Sequence, residues 1–586
     1  MPYTNDQIAD LLREVSQLMQ LAGENRFKVI AFDKAAQTIE GLGEDINDYI
    51  EEKNLTDIKG VGKSIAEDIY ALVETGKMPV LEAFKEKVPE GLIPWLNISG
   101  LGPKNAYKIH KELGISTLDE LKEKLADGSV ASLSGLGQKS AEKIQKSIEW
   151  MEKFDERCRL DQAEEIAEAI MKSLKDLEGV QQIEVAGSYR RGLETIGDID
   201  ILIAAEKDHI ESLFDVFINH ERVTDILGKG DTKSSVRTKE GRQVDLRIVS
   251  PKEFPAALMY FTGSKEHNVV MRQRARERGM GLNEYGLFKL NSEGETDFDQ
   301  PVEFSSEADI YEKLGLHFVP PELRENRGEF EIYEQQEAFD LVTDNDIRGV
   351  IHAHSTWSDG KYSIKEMAEA CMERGYEYLG ITDHSKTAAY AGGLSVDEIK
   401  QQWDEIDVLN EEFKSTGKNF VIFKGIESDI LTDGSLDYED DILEGFDFVI
   451  ASVHQSLNMP REEMMERMRN AIKNPFTRIL GHPTGRLLLK RNGSDLDLNE
   501  LIALAAEYNT AIEINANPLR LDLDWRFGNK AREVGLMTSI NPDAHTIDGI
   551  DDIPYGVRIA RKGKYEKDRV LNAKGPEEVR AFFEAR

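Results

Sequence analysis

The sequence predicts a multidomain protein with an α-helical N-terminal region, a central α+β region and a C-terminal β/α barrel. Apolar residues recur at helical spacing through most of residues 1–150. Helices and short apolar strands then alternate over residues 151–255, as in an α+β domain. In the last third of the chain, short apolar runs end in histidine or acidic residues and alternate with helical stretches. That rhythm is typical of a β/α barrel, whose strand ends gather side chains at one face.

Length and composition limit the possible classes of protein. The 586 residues are too many for one ordinary core, so several domains are expected. The net charge of -37 argues against a surface that binds nucleic acid everywhere, although local basic grooves stay possible. Cys158 and Cys371 are far apart and form no CxxC pattern, which favours a reducing cytoplasm. No apolar run reaches the roughly 18 residues that cross a bilayer, so no membrane partner is expected.

A glycine-containing pattern occurs three times in the N-terminal region. The copies are IKGVGKSIAEDI (58–69), ISGLGPKNAYKI (98–109) and LSGLGQKSAEKI (133–144). They resemble helix-hairpin-helix motifs, in which a tight turn presents backbone N–H groups to a DNA phosphate. A single copy could equally join two packed helices, and the third copy, with Lys139, could hold its domain against the next one. The expected DNA-binding residues are Gly60, Gly62, Lys63, Gly100, Gly102 and Lys104.

Three carboxylates in the central region form a candidate catalytic metal site. Asp198 and Asp200 are two apart in GDIDILI, so on a strand they share one face while Ile199 and Ile201 point into the core. The run RQVDLRIV supplies Asp245 on a second strand. Such carboxylates repel each other unless cations intervene, and a pair of Mg²⁺ ions is suited to phosphoryl transfer. The alternative is that Asp-x-Asp is a common pair at strand edges and turns.

A phosphate-binding element precedes these carboxylates. Gly187 and Ser188 offer backbone donors and a hydroxyl, Arg190 and Arg191 offer guanidinium groups, and Gly197 leads into the Asp198 strand. Together with the three carboxylates, GSYRRGLETIGDIDILI resembles the active site of family X DNA polymerases, the family of DNA polymerase beta. The resemblance covers residues 1 to about 325 and implies a palm and a thumb.

The resemblance assigns further nucleotide-binding residues to the thumb segment ALMYFTGSKEHNVVMRQ. It implies that Tyr260, Phe261 and Gly263 line the sugar, that Asn268 touches the incoming base, and that Arg272 lies on the minor-groove side. Without the resemblance, Tyr260 and Phe261 would be read as core aromatics, because such a pair at a helix end usually packs.

One feature of the related polymerases is in doubt here. DNA polymerase beta has a deoxyribose phosphate lyase in its first domain, with a Schiff-base lysine in the helix after the first hairpin. Asp68 stands at the matching position. Because a carboxylate cannot form that imine, we expect no lyase chemistry at this position.

Histidines mark a second candidate centre in the C-terminal region. Every histidine after His317 lies at the end of a short apolar run, and His352 and His354 are two apart on an apparent strand. A single histidine would be read as a hydrogen-bonded core or surface residue. The set resembles, residue by residue, the metal ligands of the polymerase and histidinol phosphatase (PHP) family: His352, His354, Asp359, His384, Glu427, His454, His482, Asp543 and His545. Mixed imidazole and carboxylate ligands favour Mn²⁺, Zn²⁺ or Fe²⁺ over Mg²⁺. Glu513 and Asn515, near the same strand ends, are left outside the ligand set.

The two resemblances predict a bacterial DNA polymerase that fills short gaps during repair, with Mg²⁺ at the polymerase site and a PHP 3'-5' exonuclease or 3'-end processing activity. Incision at abasic sites would be related chemistry. Its expected partners are gapped or primed DNA and deoxynucleoside triphosphates, and we expect a cytoplasmic, nucleoid-associated monomer. The alternatives are a nucleotidyltransferase fused to a small-molecule phosphatase, and a DNA-binding clamp with nuclease activity alone. The predicted domains are residues 1–90 and 91–150 (both helical), 151–257 (palm), 258–326 (thumb), 327–346 (a partly helical linker) and 347–586 (PHP).

Overall fold

A computed structural model describes residue 3 and residues 5–40, 46–58, 60–98, 101–155, 157–334 and 339–585. The chain divides into two compact units, Met1–Asp155 and Glu156–Arg586. Among the described residues, no helix is both long and apolar enough to cross a membrane.

The first unit is built from helices, as predicted. Ile8, Leu12 and Val15 of the first helix are fully buried, because their spacing places them on one helical face. The helices are α1 (Asn5–Leu21), α2 (Arg26–Glu40), α3 (Ile46–Glu51), α4 (Lys63–Thr75), α5 (Pro79–Lys85), α6 (Pro103–Leu113), α7 (Leu118–Ala126), α8 (Ser129–Ser132) and α9 (Gln138–Asp155).

The second unit begins with an α+β palm. Its elements are β1 (Cys158–Arg159), α10 (Leu160–Leu174), β2 (Gln182–Val185), α11 (Gly187–Arg190), β3 (Thr195–Ile196), β4 (Asp198–Ala204), α12 (Ile210–Ile218), β5 (Val223–Lys229), β6 (Lys233–Thr238), β7 (Gln243–Val249) and α13 (Phe254–Thr262). Within residues 157–334, a five-stranded sheet has the order β2-β4-β7-β6-β5, with β4 and β7 parallel. Ile199 and Ile201 belong to the core cluster that includes α10 and α12, whereas Leu202 packs with α13 on the opposite face. The predicted alternation of β4 is therefore confirmed.

The thumb follows the palm directly. Its elements are α14 (Lys265–Glu277), β8 (Met280–Asn283), β9 (Gly286–Leu290), β10 (Thr296–Pro301), α15 (Glu307–Lys313) and α16 (Glu329–Glu334). Helix α16 lies in the segment that the sequence presents as a linker. Phe330 and Tyr333 of this helix are buried in the thumb core, so this part of the segment is packed rather than extended. Residues 335–338 of the same segment lie outside the described residues.

The C-terminal region forms the predicted β/α barrel. Its elements are β11 (Gly349–Val350), α17 (Ile364–Glu373), β12 (Tyr378–Ile381), α18 (Val396–Ser415), β13 (Val421–Asp429), α19 (Asp440–Leu443), β14 (Phe448–Ser452), α20 (Arg461–Lys473), β15 (Thr477–Leu480), α21 (Leu498–Glu507), β16 (Ala511–Asn515), α22 (Gly528–Val534), β17 (Thr538–Asn541), α23 (Ile553–Lys562) and α24 (Pro576–Glu584). Over residues 339–585, seven parallel strands follow one another in chain order from β11 to β17. A parallel bridge between Ala353 and Ala544 joins the segments that follow the first and last strands. This contact brings the two edges of the sheet together, so that all strand ends surround one face.

Candidate active sites

The three palm carboxylates meet at one edge of the sheet. Asp200 on β4 is the direct partner of Asp245 on β7, and one oxygen of each, with one of Asp198, lies within 4.8 Å of the others. Burial and the neighbouring charges of Asp198 and Asp245 raise the pKa of Asp200 to about 7. Lys233 Nζ lies 2.5 Å from Asp245 Oδ2, and Gln243 donates to Asp245 Oδ1 at 3.0 Å. The site therefore concentrates more negative charge than its protein neighbours offset, which suits divalent cations.

The turn before these carboxylates places Gly187, one of the predicted phosphate-binding residues, beside Asp200. Gly187 begins α11 with φ +62°, and a Cβ there would lie 2.6 Å from Asp200 Oδ2. Only glycine leaves the backbone this close to the carboxylate. Arg191 donates from Nε to Glu325 Oε1 at 2.9 Å. A Cβ on Gly263 would lie 3.1 Å from Arg191 Nη1, so these predicted residues are neighbours.

The two adjacent arginines have different surroundings. Arg190 donates to both carboxylate oxygens of Glu307, at 3.0 and 2.7 Å. Glu307 also accepts a bond from Arg324 at 2.7 Å. Arg191 is held in a similar way, since its Nη1 also donates to the Thr262 carbonyl at 2.6 Å, so the choice of Arg191 for triphosphate binding follows the family resemblance. Ser188 is half-buried in α11, and Gly197 directly precedes β4.

The predicted thumb residues surround a partly buried aromatic pair. The rings of Tyr260 and Phe261 meet edge to face with centroids 5.2 Å apart, and the Arg247 guanidinium lies 4.3 Å from the Phe261 centroid. Asn268 donates to the Tyr260 carbonyl at 2.7 Å, while its buried Oδ1 has no hydrogen-bond partner among the described residues. Arg272 is exposed on α14. The pair has the packing contacts expected of core aromatics and also lies next to an amide that is available for a ligand.

In the barrel, one carboxylate lies at the centre of the histidine-rich cluster. Glu427 on β13 is buried and is surrounded by ring nitrogens from the ends of neighbouring strands. These nitrogens lie close to its carboxylate oxygens: His482 Nε2 at 3.0 Å, His384 Nδ1 at 3.0 Å, His454 Nε2 at 3.3 Å, His352 Nε2 at 3.6 Å and His354 Nε2 at 3.7 Å.

Two aspartates complete the cluster on either side. Asp543 Oδ1 lies 3.1 Å from His354 Nε2, and Asp359 Oδ1 lies 3.3 Å from His545 Nε2. The structure thus brings all nine predicted residues to one face of the barrel. Three subsets place one donor atom from each member within 4.8 Å: His354, Asp359, His384 and His545; His352, His354 and Asp543; and His384, Glu427 and His454.

The donor set fits bound transition metals. Within the described residues, His352 Nε2, His354 Nδ1 and His482 Nδ1 are buried without a hydrogen-bond partner. Leaving such an atom unpaired costs about 1–3 kcal/mol, and metal coordination would remove that cost. Burial and the adjacent His545 and His384 lower the pKa of His354 to about 3. Its ring is therefore neutral, which is the form that binds metals. Burial opposes protonation of two other rings, but nearby carboxylates outweigh burial and raise the pKa of His454 to about 10 and that of His545 to about 9, so metal binding at those rings would displace protons.

Sequence reasoning missed a residue that orients one of these rings. Asp429 Oδ1 lies 2.6 Å from His454 Nδ1, so that His454 Nε2 points towards Glu427. Asp429 is two residues after Glu427 on β13. The same spacing rule that paired Asp198 with Asp200 could have identified it.

Strand β16 contributes two more side chains that contact the proposed ligands. Glu513 Oε1 lies 2.7 Å from His352 Nδ1, and Glu513 Oε2 accepts a bond from the His482 backbone N–H at 2.7 Å. Asn515 donates to Asp543 Oδ2 at 3.1 Å. Both residues therefore restrain members of the nine-residue cluster through hydrogen bonds.

The predicted DNA-binding turns share one geometry in the first unit. Helices α4, α6 and α9 begin directly after Gly62, Gly102 and Gly137, and two positions before each helix a backbone N–H donates to the carbonyl three residues earlier. Lys63 and Lys104 are exposed in the first turns of their helices, and Gly60 has φ +93°. Gly100 lies outside the described residues. Exposed N–H groups at such helix starts suit phosphate oxygens, and DNA binding by these residues stays a prediction.

Asp68, at the position of the lyase lysine, has a local structural role. Its Oδ1 accepts a bond from the Val80 backbone N–H at 3.2 Å, next to the start of α5. The carboxylate therefore satisfies an N–H group that the helix itself leaves unpaired.

Known protein families match five stretches of the chain. They are a helix-hairpin-helix domain over residues 3–78, a SAM-like helix-hairpin-helix tandem over 94–149, the DNA polymerase beta palm over 158–241, the DNA polymerase beta thumb over 257–325 and a PHP domain over 351–517.

Among individual proteins, the chain is 42% identical to the DNA polymerase/3'-5' exonuclease PolX of Bacillus subtilis over 578 residues, which cover 98% of each protein. It is 25% identical to DNA polymerase lambda of Rattus norvegicus over 341 residues, 55% of this chain and 56% of the relative. A protein named "probable phosphatase" from Thermoanaerobacter is 27% identical over 232 residues, 38% of this chain and 88% of the relative.

Proposed function

The chain belongs to the bacterial family X DNA polymerases that carry a C-terminal PHP domain, and from this membership we propose which side chains perform its reactions. The protein is a DNA polymerase with a 3'-5' exonuclease. One observation supports the division of labour: the palm has an all-carboxylate cluster, and the barrel has a separate, imidazole-rich one. We assign nucleotidyl transfer to the palm and phosphodiester hydrolysis to the barrel.

In the palm, Asp198, Asp200 and Asp245 hold Mg²⁺, with Asp245 assigned to the ion at the primer end. Bound Mg²⁺ would lower the pKa of the primer 3'-hydroxyl and offset charge on the leaving pyrophosphate. Arg191 and the backbone N–H groups at Gly187 bind the triphosphate, since Gly187 lies beside Asp200 and Arg191 follows in the same turn, directly after α11. Catalysis at such a site is mainly positioning and electrostatic stabilisation.

The thumb side chains select and orient the nucleotide. Tyr260, Phe261 and Gly263 line the sugar, and the unpartnered Oδ1 of Asn268 faces the base. Arg272, exposed on α14, contacts the minor-groove side of the new base pair.

In the barrel, the nine clustered side chains hold Mn²⁺, Zn²⁺ or Fe²⁺. Bound ions of this kind would supply a nucleophile from water at neutral pH and offset charge on the attacked phosphate. Asp429 and Glu513 keep the ring nitrogens of His454 and His352 aimed into the cluster. The ligand rings are thereby ordered before substrate arrives.

The substrates that suit both centres are gapped or primed DNA and deoxynucleoside triphosphates, and the proposed role is filling short gaps in repair. The helix-hairpin-helix turns hold the DNA backbone without reading sequence. We place the protein in the cytoplasm, on the nucleoid, and as a monomer. A relative is named as a probable phosphatase, so a small-molecule phosphatase is the alternative for the barrel domain.

Two variants test the division of labour. Asp245→Ala should abolish Mg²⁺-dependent extension of a primer in a gapped duplex while Mn²⁺-dependent 3' trimming persists. The double variant His352→Ala with His354→Ala should do the reverse, as followed on a labelled primer. If each variant loses both reactions, the assignment of two independent centres is wrong. Hydrolysis of histidinol phosphate without trimming of DNA would favour the alternative for the barrel.

A further inference from the structure

A helix of the nuclease domain lies along the nucleotide loop of the polymerase, defined here as residues 187–194. The Arg558 guanidinium of α23 lies 4.9 Å from the centroid of the Tyr189 ring. A Cβ on Gly192 would lie 3.7 Å from the Arg558 Cβ, which is van der Waals contact. The loop is therefore packed by the barrel as well as by its own palm and thumb.

Lys562, the last residue of α23, contacts both the loop and the thumb. Its side chain is 0% exposed, although it carries an ammonium group. The ammonium donates to the Arg191 carbonyl at 3.0 Å, to the Glu322 carbonyl at 3.2 Å and to Glu325 Oε1 at 2.6 Å. An ammonium has three donors, so all of them are used on oxygens of the polymerase domain. A buried charge in this geometry strongly restrains its partners.

Glu325 links this ammonium to the proposed triphosphate-binding residue. The same Oε1 that accepts from Lys562 also accepts from Arg191 Nε at 2.9 Å. Lys562 thus holds Arg191 twice, through its backbone carbonyl and through the carboxylate that orients its guanidinium. Removing the ammonium would free that carbonyl and leave Glu325 paired with Arg191 alone.

The barrel also holds the far end of the nucleotide loop. Glu194 accepts bonds from Arg526 Nη1 at 2.7 Å and from Trp525 Nε1 at 3.0 Å. Both donors belong to the loop between β16 and α22 of the barrel. The nuclease domain therefore contacts the nucleotide loop at Tyr189, Arg191 and Glu194.

We propose that Lys562 is a positioning residue of the polymerase site, through which the nuclease domain sets the orientation of Arg191 and so the affinity for a deoxynucleoside triphosphate. The inference rests on the proposed function of Arg191. It makes the C-terminal domain a structural part of the polymerase site as well as a separate enzyme.

The test compares two buried lysines in the full-length protein. Lys562→Met should raise the KM for the incoming nucleotide about tenfold, the effect of losing one charge-assisted hydrogen bond, with a smaller change in kcat. Lys564→Met is the matched control, since Lys564 is also buried at this domain contact but bonds to the Arg327 carbonyl and Asn529. It should leave the KM within about twofold. The affinity for a fluorescent deoxynucleoside triphosphate, measured without DNA, should likewise fall in Lys562→Met and change little in Lys564→Met.

A second comparison shows whether Lys562 acts through Arg191. In an Arg191→Met background, adding Lys562→Met should change nucleotide affinity much less than it does in the wild-type background, because only the bond to the carbonyl of residue 191 is left to lose. Additive losses would overturn the inference, and so would an equal rise in KM in Lys564→Met. Retained 3' trimming shows that each variant is folded.

If Lys562→Met does not fold, Glu325→Gln provides the test. This substitution removes the carboxylate charge that Lys562 and Arg191 share and keeps the shape of the side chain. An unchanged KM in folded Glu325→Gln would then contradict the inference. Failure of the wild-type protein to extend a primer would instead contradict the proposed function.

Discussion

The palm and barrel centres are constructed in opposite ways. The palm centre uses three carboxylates on two adjacent strands, and one of them, Asp198, is exposed. The barrel centre uses nine side chains from segments spread over almost 200 residues, and its central residue Glu427 is 1% exposed. An open oxygen site suits an ion that keeps waters and binds substrate phosphates, whereas a closed imidazole site suits ions that the protein itself holds. Under the proposed functions, palm ions would therefore arrive with each substrate, whereas barrel ions would stay bound to the protein.

The largest effects are expected from substitutions that remove one carboxylate charge from a centre and keep the size of the side chain. Glu427→Gln should reduce 3' trimming roughly a thousandfold, because it removes the charge that several histidine-bound ions would share. Asp200→Asn should reduce extension by a similar factor. Primer extension with Mg²⁺ and trimming with Mn²⁺, measured on both variants, check this prediction. Loss of both reactions in either variant would contradict the separation of the two centres.

The next prediction concerns the ion pair between Glu194 of the palm and Arg526 of the barrel, which stabilises the contact between the two domains. Burial disfavours the charged form of Glu194, but Arg526 and Arg486 outweigh it and lower its pKa to about 2. Because the folded pKa lies below the unfolded value, the ion pair stabilises the fold above about pH 4.5 and is lost as the pH falls towards 2. This lowering of the Glu194 pKa corresponds to a contribution of about 3 kcal/mol to the free energy of unfolding near neutral pH.

Glu194→Gln should therefore lower the free energy of unfolding of the second unit at pH 6, and the deficit should shrink as the pH falls to 3. Denaturant unfolding at several pH values measures it, with exposed Glu533→Gln as the control. A deficit that is independent of pH would show that the carboxylate charge is not what joins the domains.

The smallest effect concerns a residue that orients a ligand. Asp429→Asn should weaken metal binding by the barrel about 10–100-fold, because His454 loses the carboxylate that fixes its ring. Titration of the metal-free protein with Mn²⁺ or Zn²⁺ measures the change. Asp433→Asn, in the exposed turn after β13, should leave affinity unaltered. Equal affinity in both variants would mean that His454 is held by packing alone.

Much of both centres could be predicted from local spacing. Asp198 and Asp200 share a face because side chains two apart on a strand always do, and β4 confirms the alternation. In the barrel, the ends of the apolar runs indicate the histidines, and the resemblance to the PHP family supplies the full set of nine residues. The spacing of Asp429 from Glu427 is the same, but its role in orienting His454 depends on how β13 pairs with β14, which spacing along the chain does not specify.

The sequence by itself determined the order of the domains, the alternation of the strands and the candidate residues, because each of these depends on neighbours a few positions apart. Only the tertiary structure decided that Arg190 pairs with Glu307 and that Arg191 shares Glu325 with Lys562. Lys562 lies 371 residues from Arg191. No local sequence pattern predicts a contact between residues so far apart in the chain, because buried ion pairs form wherever packing brings opposite charges together and removes water.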